Sequence, residues 1–355
     1  MPARPSPPPL DDADATPGAA PQRVQMADLA RMAGVSITTV SRALSGSSEI
    51  SAKTRERINA LARSLNYTVH QSAKNLRLKH NSTIAVVIPY ASDSQQHISD
   101  PFFLTMLGSL ADELTGRGYD MLLSRVDAAR LDSAGQLYQS GAAAGILLIG
   151  QWHQHGQLNE LADRQIPLVV WGAELPEQRY CSVGGDNYAG GLTAARHLLQ
   201  RGCRRLLFIG DPDLPEVAER LRGHLAGLAE AGLSPDPALL LGVPFEVQQM
   251  RAGLSALLQQ GVVFDAVQAC SDVLAIAAMQ LLRQHGRQVP NDVAVVGYDD
   301  IEWASHADPP LSTVLQPIRP AGAEMVDALL ALMAGRRVRS RTLPVELVAR
   351  QSSQR

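Results

Sequence analysis

Two textures of hydrophobic and polar positions divide this chain. Between Gln25 and Leu65 apolar residues recur at i, i+3, i+4, the spacing that gathers them on one face of an α-helix. Three short helices are predicted. The first covers about Met26 to Met32 and turns Leu29 and Ala30 inward, and Gly34 supplies the turn after it. The second begins after Ser36, whose hydroxyl can accept from the unpaired N–H groups of a helix start; Val40, Ala43 and Leu44 share its inner face. The third follows Ser51 and turns Ile58, Leu61, Ala62 and Leu65 inward. Two helices joined by a tight glycine turn make a helix-turn-helix pattern. Beyond Ser82 the runs change to "TIAVVIPY", "GILLIG", "PLVVWG", "RRLLFIG" and "VAVVGYDD", with helical stretches between them. Strands that are apolar throughout and alternate with helices predict parallel sheets covered on both faces. Their number suggests two α/β lobes.

Composition adds domain limits. Residues 1–23 are rich in Pro and Ala and are expected to form a disordered tail. The expected organisation is a tail at 1–23, a helix-turn-helix domain at 24–68, a hinge or linker at 69–80 and a two-lobed body at 81–355. Charge sharpens this division. Between Val24 and His80 nine Lys and Arg face three acids, although the whole chain carries a net charge of −3. A small basic module on an acidic body points to a polyanionic partner for the module. Only three cysteines occur, Cys181, Cys203 and Cys270, with no CxxC pair and no disulfide framework, which suits a reducing cytoplasm. No apolar run approaches the ~20 residues that span a bilayer, and no signal-peptide pattern opens the chain. A cytoplasmic protein without membrane contact is expected.

The second helix carries the first candidate chemistry. Ser36, Thr38, Thr39 and Ser41 stand close together with Arg42 behind them, although hydroxyl residues are poor helix formers. Short hydroxyl side chains allow close approach to DNA and can bond phosphates or base edges, and an arginine can reach a phosphate or a guanine. Ile37 and Thr38 open this helix, where base contacts usually begin. In the body, ligands of parallel sheets bind beyond the carboxyl ends of strands. The residues after the apolar runs are therefore candidates: Phe102 and Phe103 as an aromatic face for a ring, Asp186 and Asp299 as hydroxyl acceptors, and Trp171. Bland roles stand beside these. Asp186 can cap its helix, the phenylalanines can pack in a core, and one member of the Asp299–Asp300 doublet is expected to be structural.

The stretch "ADLARMAGVSITTVSRALSGSSEISAKTRERINALARSLNY" resembles the DNA-binding domain of the lactose-repressor family, which includes the purine repressor. The resemblance continues in order through "DPFF", "GDNYAGG", "ERLRGHLAGL", "VAVVGYDDIEWAS" and "PPLSTVLQPI". It implies an N-terminal all-α helix-turn-helix domain followed by an α/β two-lobed, periplasmic-binding-protein-like domain with parallel sheets. It places Ile37, Thr38 and Arg42 at base-reading positions and Thr39 and Ser41 near phosphates. It assigns "HQSAKNLRLKH" to a hinge helix that enters the minor groove, with Leu76 as the wedge between base steps and Lys74 and Arg77 on the backbone. An apolar wedge of that kind kinks DNA. The chain departs from the family pattern at Val69 and His70, where Pro-Asn is common, and at Lys74, where Arg is common. Arg220 and Ser271 match effector-contacting positions.

The expected function is a transcriptional repressor of carbohydrate-utilisation genes. It would bind pseudo-palindromic double-stranded operator DNA as a homodimer and be released by a small-molecule effector, a sugar. The alternatives are a corepressor-dependent or activating regulator responding to a non-sugar small molecule, and a sugar-binding protein without DNA function. The chain ends at "LPVELVARQSSQR" without a leucine heptad, so no tetramer is expected. No GxSxG, HExxH, P-loop or GxGxxG occurs, so no enzyme, catalytic residue, cofactor or metal is expected. His153 and His155, in "WHQHG", are read as a surface loop.

Overall fold

The computed structural model describes residues 25–44, 47, 49–65, 67, 81–91 and 97–354. The tail and the hinge, with Lys74, Leu76 and Arg77, lie outside the described residues. The chain separates into two units, residues 1–80 and 81–355.

The first unit is three helices: α1 (Met26–Ala33), α2 (Ile37–Leu44) and α3 (Ala52–Ser64). Each boundary has a local cause. Gln25 and Asp28 satisfy one another's backbone at the start of α1, and Gly34 closes it at φ 62°, a left-handed conformation that glycine adopts without a Cβ penalty. The Ser36 hydroxyl accepts the Thr39 N–H at 3.1 Å and lies 2.9 Å from the Thr39 hydroxyl. Ser51 repeats the arrangement with Thr54 on α3. Leu29, Ala30, Ala33, Val40, Ala43, Ile58 and Ala62 form the core. Arg57 donates to the Ala33 carbonyl at 2.9 Å and ties α3 to the end of α1.

The second unit holds two six-stranded sheets. The strands are β1 (Thr83–Tyr90), β2 (Asp120–Asp127), β3 (Gly145–Ile149), β4 (Leu168–Trp171), β5 (Cys181–Gly185), β6 (Leu206–Ile209), β7 (Leu240–Leu241), β8 (Ala266–Ala269), β9 (Ala294–Asp299), β10 (Ser312–Leu315), β11 (Arg341–Leu343) and β12 (Glu346–Val348). The helices are α4 (Pro101–Gly116), α5 (Gly135–Gln139), α6 (His155–Asp163), α7 (Asn187–Gln200), α8 (Pro215–Glu230), α9 (Val247–Gln259), α10 (Asp272–Gln284), α11 (Glu302–His306) and α12 (Ile318–Met333). Lobe 1 has the order β11-β5-β4-β3-β1-β2 and lobe 2 the order β12-β10-β9-β8-β6-β7. All pairings are parallel except β10 with β12.

The apolar strands sort by alternation. Ile84, Val86 and Ile88 of β1 pack with α4 and α12 on one face of the first sheet. Ala85 and Val87 pack with Leu158 and Leu161 of α6 on the other. Successive side chains of a strand point to opposite faces, so a strand buried on both reads as continuously apolar. In lobe 2, Leu207, Val267 and Val295 face α10, while Ala266, Ala294 and Val296 face α7.

The chain passes between the lobes three times, from β5 to α7, from β10 to α12 and from β11 to β12. Two crossings are bonded together, the Asp186 N–H donating to the Leu343 carbonyl at 2.9 Å. No helix among the described residues is long and apolar enough to cross a membrane.

Candidate functional site

The face of α2 opposite its core carries Ile37, Thr38, Ser41 and Arg42. Ile37 is 48% exposed, unusual for an apolar side chain with no fold to hold. Thr38 is exposed, and Ser41 is half-buried. Arg42 is exposed and pairs with Glu49 at 2.8 Å. Thr39 is half-buried and turned toward Ser36. Ser36 and Thr39 thus form the helix cap, which accounts for part of the hydroxyl run; Thr38 is left on the outer face.

The second unit contains a cavity of about 540 Å³ between its lobes, at the carboxyl ends of the strands. It draws in Phe102, Phe103, Trp171, Arg220, Ser271 and Asp299. Phe102 heads α4, whose first turn is capped by Asp100 (Phe102 N–H to Oδ1, 2.9 Å). Its ring centroid lies 5.6 Å from that of Phe103 and 6.3 Å from that of Trp171. Edge-on and tilted contacts of this kind are the favoured aromatic arrangements. Phe103 also belongs to the lobe 1 core. Asp186 is not among the lining residues. It caps α7, its Oδ1 accepting the Ala189 N–H at 2.8 Å.

Arg220 is placed by glycines. A Cβ on Gly191 would stand 2.0 Å from the Arg220 carbonyl oxygen, and one on Gly223 would stand 2.1 Å from the Tyr188 carbonyl oxygen. The two glycines let α7 and α8 touch backbone to backbone. Arg220 is 5% exposed. Its Nε donates to Asn187 Oδ1 at 2.8 Å and its Nη1 to the Cys270 carbonyl at 2.5 Å. Its guanidinium carbon lies 3.7 Å from the Tyr298 ring centroid. A guanidinium held over an aromatic face and by two acceptors has little rotational freedom.

Asp299 ends β9 with φ 120° and Asp300 follows at φ 57°. Side-chain-bearing residues in such conformations are strained and concentrate at functional sites. The turn is riveted by Asp272, which accepts from the Thr313 hydroxyl at 2.5 Å and the Ile301 N–H at 2.9 Å. Gly297 makes room for that carboxyl. Asp299 accepts from Gln316 Nε2 at 2.7 Å. Burial pushes its carboxyl up to about 7, against the opposing pull of Arg220 and the Gln316 bond. Asp300 instead pairs with Arg350 at 2.7 Å, the structural member of the doublet. Ser271 caps α10 through the Leu274 N–H.

The cavity also takes in residues the sequence did not single out. Asp100, Asp211, Glu216 and Glu246 add carboxylates, and Trp152, Phe245 and Gln316 add an indole, a ring and an amide. Burial raises the carboxyl pKa of Asp100 and of Glu216. His153 is exposed, as the surface-loop reading expects, whereas His155 is half-buried at the start of α6. His153 lines the cavity, its Nδ1 3.0 Å from the Asp213 carbonyl oxygen of the other lobe, and His155 Nδ1 is 3.0 Å from the Tyr180 hydroxyl. The three cysteines are buried and form no disulfide. Among the described residues no group of His, Cys, Asp and Glu is placed to hold a metal ion.

Known proteins share both units. Residues 195–353 match the periplasmic binding protein-like domain, and residues 25–69 match the bacterial regulatory proteins of the lacI family. The HTH-type transcriptional regulator CelR of Thermobifida fusca is 34% identical over 328 residues, covering 90% of this chain and 94% of that protein. A solved CelR–cellobiose complex superposes with a TM-score of 0.69 at 31% identity, over 93% of this chain and 100% of the other. The lac repressor dimer bound to operator and the anti-inducer ONPF superposes at 0.82 with 25% identity, over 94% and 99%. With a helix-turn-helix unit, a two-lobed body around a cleft and full-length likeness at this identity, the chain belongs to the lacI family of bacterial regulatory proteins.

Proposed function

We propose that this protein is a homodimeric transcriptional repressor of carbohydrate-utilisation genes, working in the cytoplasm without catalysis, whose hold on operator DNA is released by a sugar. The cavity of the second unit carries the sugar reading. It joins an aromatic group (Phe102, Phe103, Trp171) to a fixed arginine and a buried aspartate, Arg220 and Asp299. A carboxylate accepts sugar hydroxyls, a guanidinium donates in a fixed fork, and rings cover the apolar C–H face of a pyranose. Ser271 supplies a hydroxyl in the same wall. Asp186 serves the site indirectly, by starting α7 beneath Arg220.

On the DNA side, Ile37, Thr38 and Arg42 read base edges, and Thr39 and Ser41 approach phosphates. Lys74 and Leu76 act from the hinge. A two-fold protein requires matching half-sites, hence a pseudo-palindromic operator. Sugar binding moves the lobes toward one arrangement and the operator-bound hinges lose their order. The strength of that effect is the sugar's differential affinity for the two states.

Fluorescence anisotropy of the full chain on DNA from upstream of its own gene tests this. Release by one member of a panel of mono- and disaccharides supports it. Tighter binding with a ligand would make the protein corepressor-dependent, and no binding above the nonspecific level for any fragment would overturn the reading.

A further inference from the structure

The segment Gly150–His153 leaves β3 and enters the cleft in an unusual conformation. Gly150 has φ 97° and Trp152 has φ 48°. Glycine adopts such values freely, but a bulky side chain does so only when its surroundings enforce it. The enforcement is visible at Gln151, whose side chain is fully buried. Its Nε2 donates to the Ala173 carbonyl at 2.7 Å and to the Tyr180 hydroxyl at 2.9 Å, and its Oε1 accepts the Ala173 N–H at 2.9 Å. The backbone is pinned at Gln151, and the strained residue that follows sets an indole into the cavity wall.

That indole is not used by the core. Trp152 belongs to neither sheet's apolar cluster and is only half-buried. Its ring lies beside Gly150, 3.7 Å from where a Cβ there would stand. The loop also reaches lobe 2. His153 Nδ1 lies 3.0 Å from the Asp213 carbonyl oxygen, so the imidazole donates. A lobe 1 loop that holds a strained tryptophan against the ligand space therefore bonds lobe 2 through the next residue, His153.

The charge of the lining restricts what the ring can meet. Asp100, Asp211, Glu216, Glu246 and Asp299 surround the space. Arg220 is the one guanidinium or ammonium group among the described residues that line the cavity, and it is engaged by Asn187 and the Cys270 carbonyl. An anionic sugar, a phosphate ester or a uronate, would meet carboxylates in a poorly screened cleft. An uncharged polyol meets hydroxyl acceptors.

We infer that Trp152 is a specificity-determining residue of the cavity: its indole covers the apolar face of a neutral pyranose, and the bond of the adjacent His153 to lobe 2 ties that contact to lobe closure. The inference rests on the sugar reading above and adds the residue, the face of the ligand and the ligand's charge.

Isothermal titration of the full chain with cellobiose, maltose, lactose and ribose, and with glucose and glucose 6-phosphate as a charge pair, tests it. The tightest neutral sugar is then titrated into Trp152→Ala, Trp152→Phe and His153→Ala. The expected result is at least a tenfold rise in Kd for Trp152→Ala and recovery to within about threefold of wild type for Trp152→Phe. His153→Ala falls between them. Tryptophan emission adds a signature that a purely structural role would not move: the sugar-induced change of wild type shrinks in Trp152→Phe although affinity is kept. Unchanged affinity in Trp152→Ala, or glucose 6-phosphate binding more tightly than glucose, overturns the inference and leaves the sugar reading standing. A wild-type chain that binds none of these neutral sugars overturns both.

Discussion

At the scale of single residues, the site is governed by how burial treats charge. Arg220 has lost nearly all its water and is held by Asn187, the Cys270 carbonyl and the Tyr298 ring. Arg220→Ala should abolish sugar-induced operator release; a retained response, measured by anisotropy, would remove Arg220 from the site. Asp299 makes a pH prediction. Burial keeps its proton to about pH 7 in the folded chain, against an ordinary value of 3.8. Between those values the folded state binds more protons than the unfolded one, so stability falls as pH rises and levels off above 7. Relative to Asp299→Asn, the wild type should lose up to about 1.4 kcal/mol per pH unit in that window, measured by urea unfolding at pH 5, 6, 7 and 8. Sugar affinity should move the opposite way. Hydroxyl donors favour the ionised carboxylate, so the Kd for the releasing sugar should rise as pH drops below 7, and a Kd flat from pH 5.5 to 8 would exclude Asp299 from ligand contact. Part of this was readable from residue types at strand ends, since Ser271, Asp299 and the phenylalanines reach the cavity, and Arg220, inside α8, was readable only through the family resemblance. Trp152, Glu216 and Glu246 were not readable, because what brings them there is backbone geometry between elements. His153 is exposed, as its polar flanks suggest, and what no local pattern announces is the bond of its ring to the opposite lobe.

At the scale of elements, capping and close packing decide where functional side chains stand. Ser36 starts α2, and the start of α2 sets the register by which Thr38 and Arg42 face outward while Val40 and Ala43 face the core. Ser36→Ala should cost the first unit about 1 kcal/mol, the usual worth of a cap, read from thermal unfolding; no change would mean that Gly34 and tertiary packing alone fix the helix. The α7–α8 pair depends on Gly191 and Gly223 in the same manner. A methyl on Gly191 would collide with the backbone of Arg220, so Gly191→Ala should cost about 1–3 kcal/mol and weaken sugar response through displaced Arg220. The strands legible in the sequence were the apolar ones: β1, β3, β4, β6 and β9 coincide with its apolar runs, while β5, just as buried, carries Ser and Gly. The short "AVQA" and "STVL" strands, β8 and β10, and the alternating edge strand β2 carried too few apolar residues to announce themselves, since their pairing is supplied by neighbours.

At the scale of the whole molecule, function is a coupling between a ligand held in one unit and DNA held by the other. A sugar at one hundred times its Kd should stabilise the α/β unit by about 2.7 kcal/mol, and the three-helix unit should gain nothing directly. In the proposed mechanism transmission falls to the linker, where Leu76 would act as a wedge between base steps. Wedging needs a specific, deformable central step, and its cost is recovered only through the contacts the bend creates. Phosphate attraction by the basic module needs no such step. The two kinds of binding should therefore separate in one variant. Leu76→Ala should weaken operator binding at least tenfold while binding to nonoperator DNA of equal length stays within about twofold, both titrated at one salt concentration. It should also blunt the sugar response, because a hinge that no longer gains from ordering on the operator has less order for the sugar to remove. Equal losses on both DNAs would place Leu76 in nonspecific backbone contact and leave sequence reading, and its release, to α2 alone.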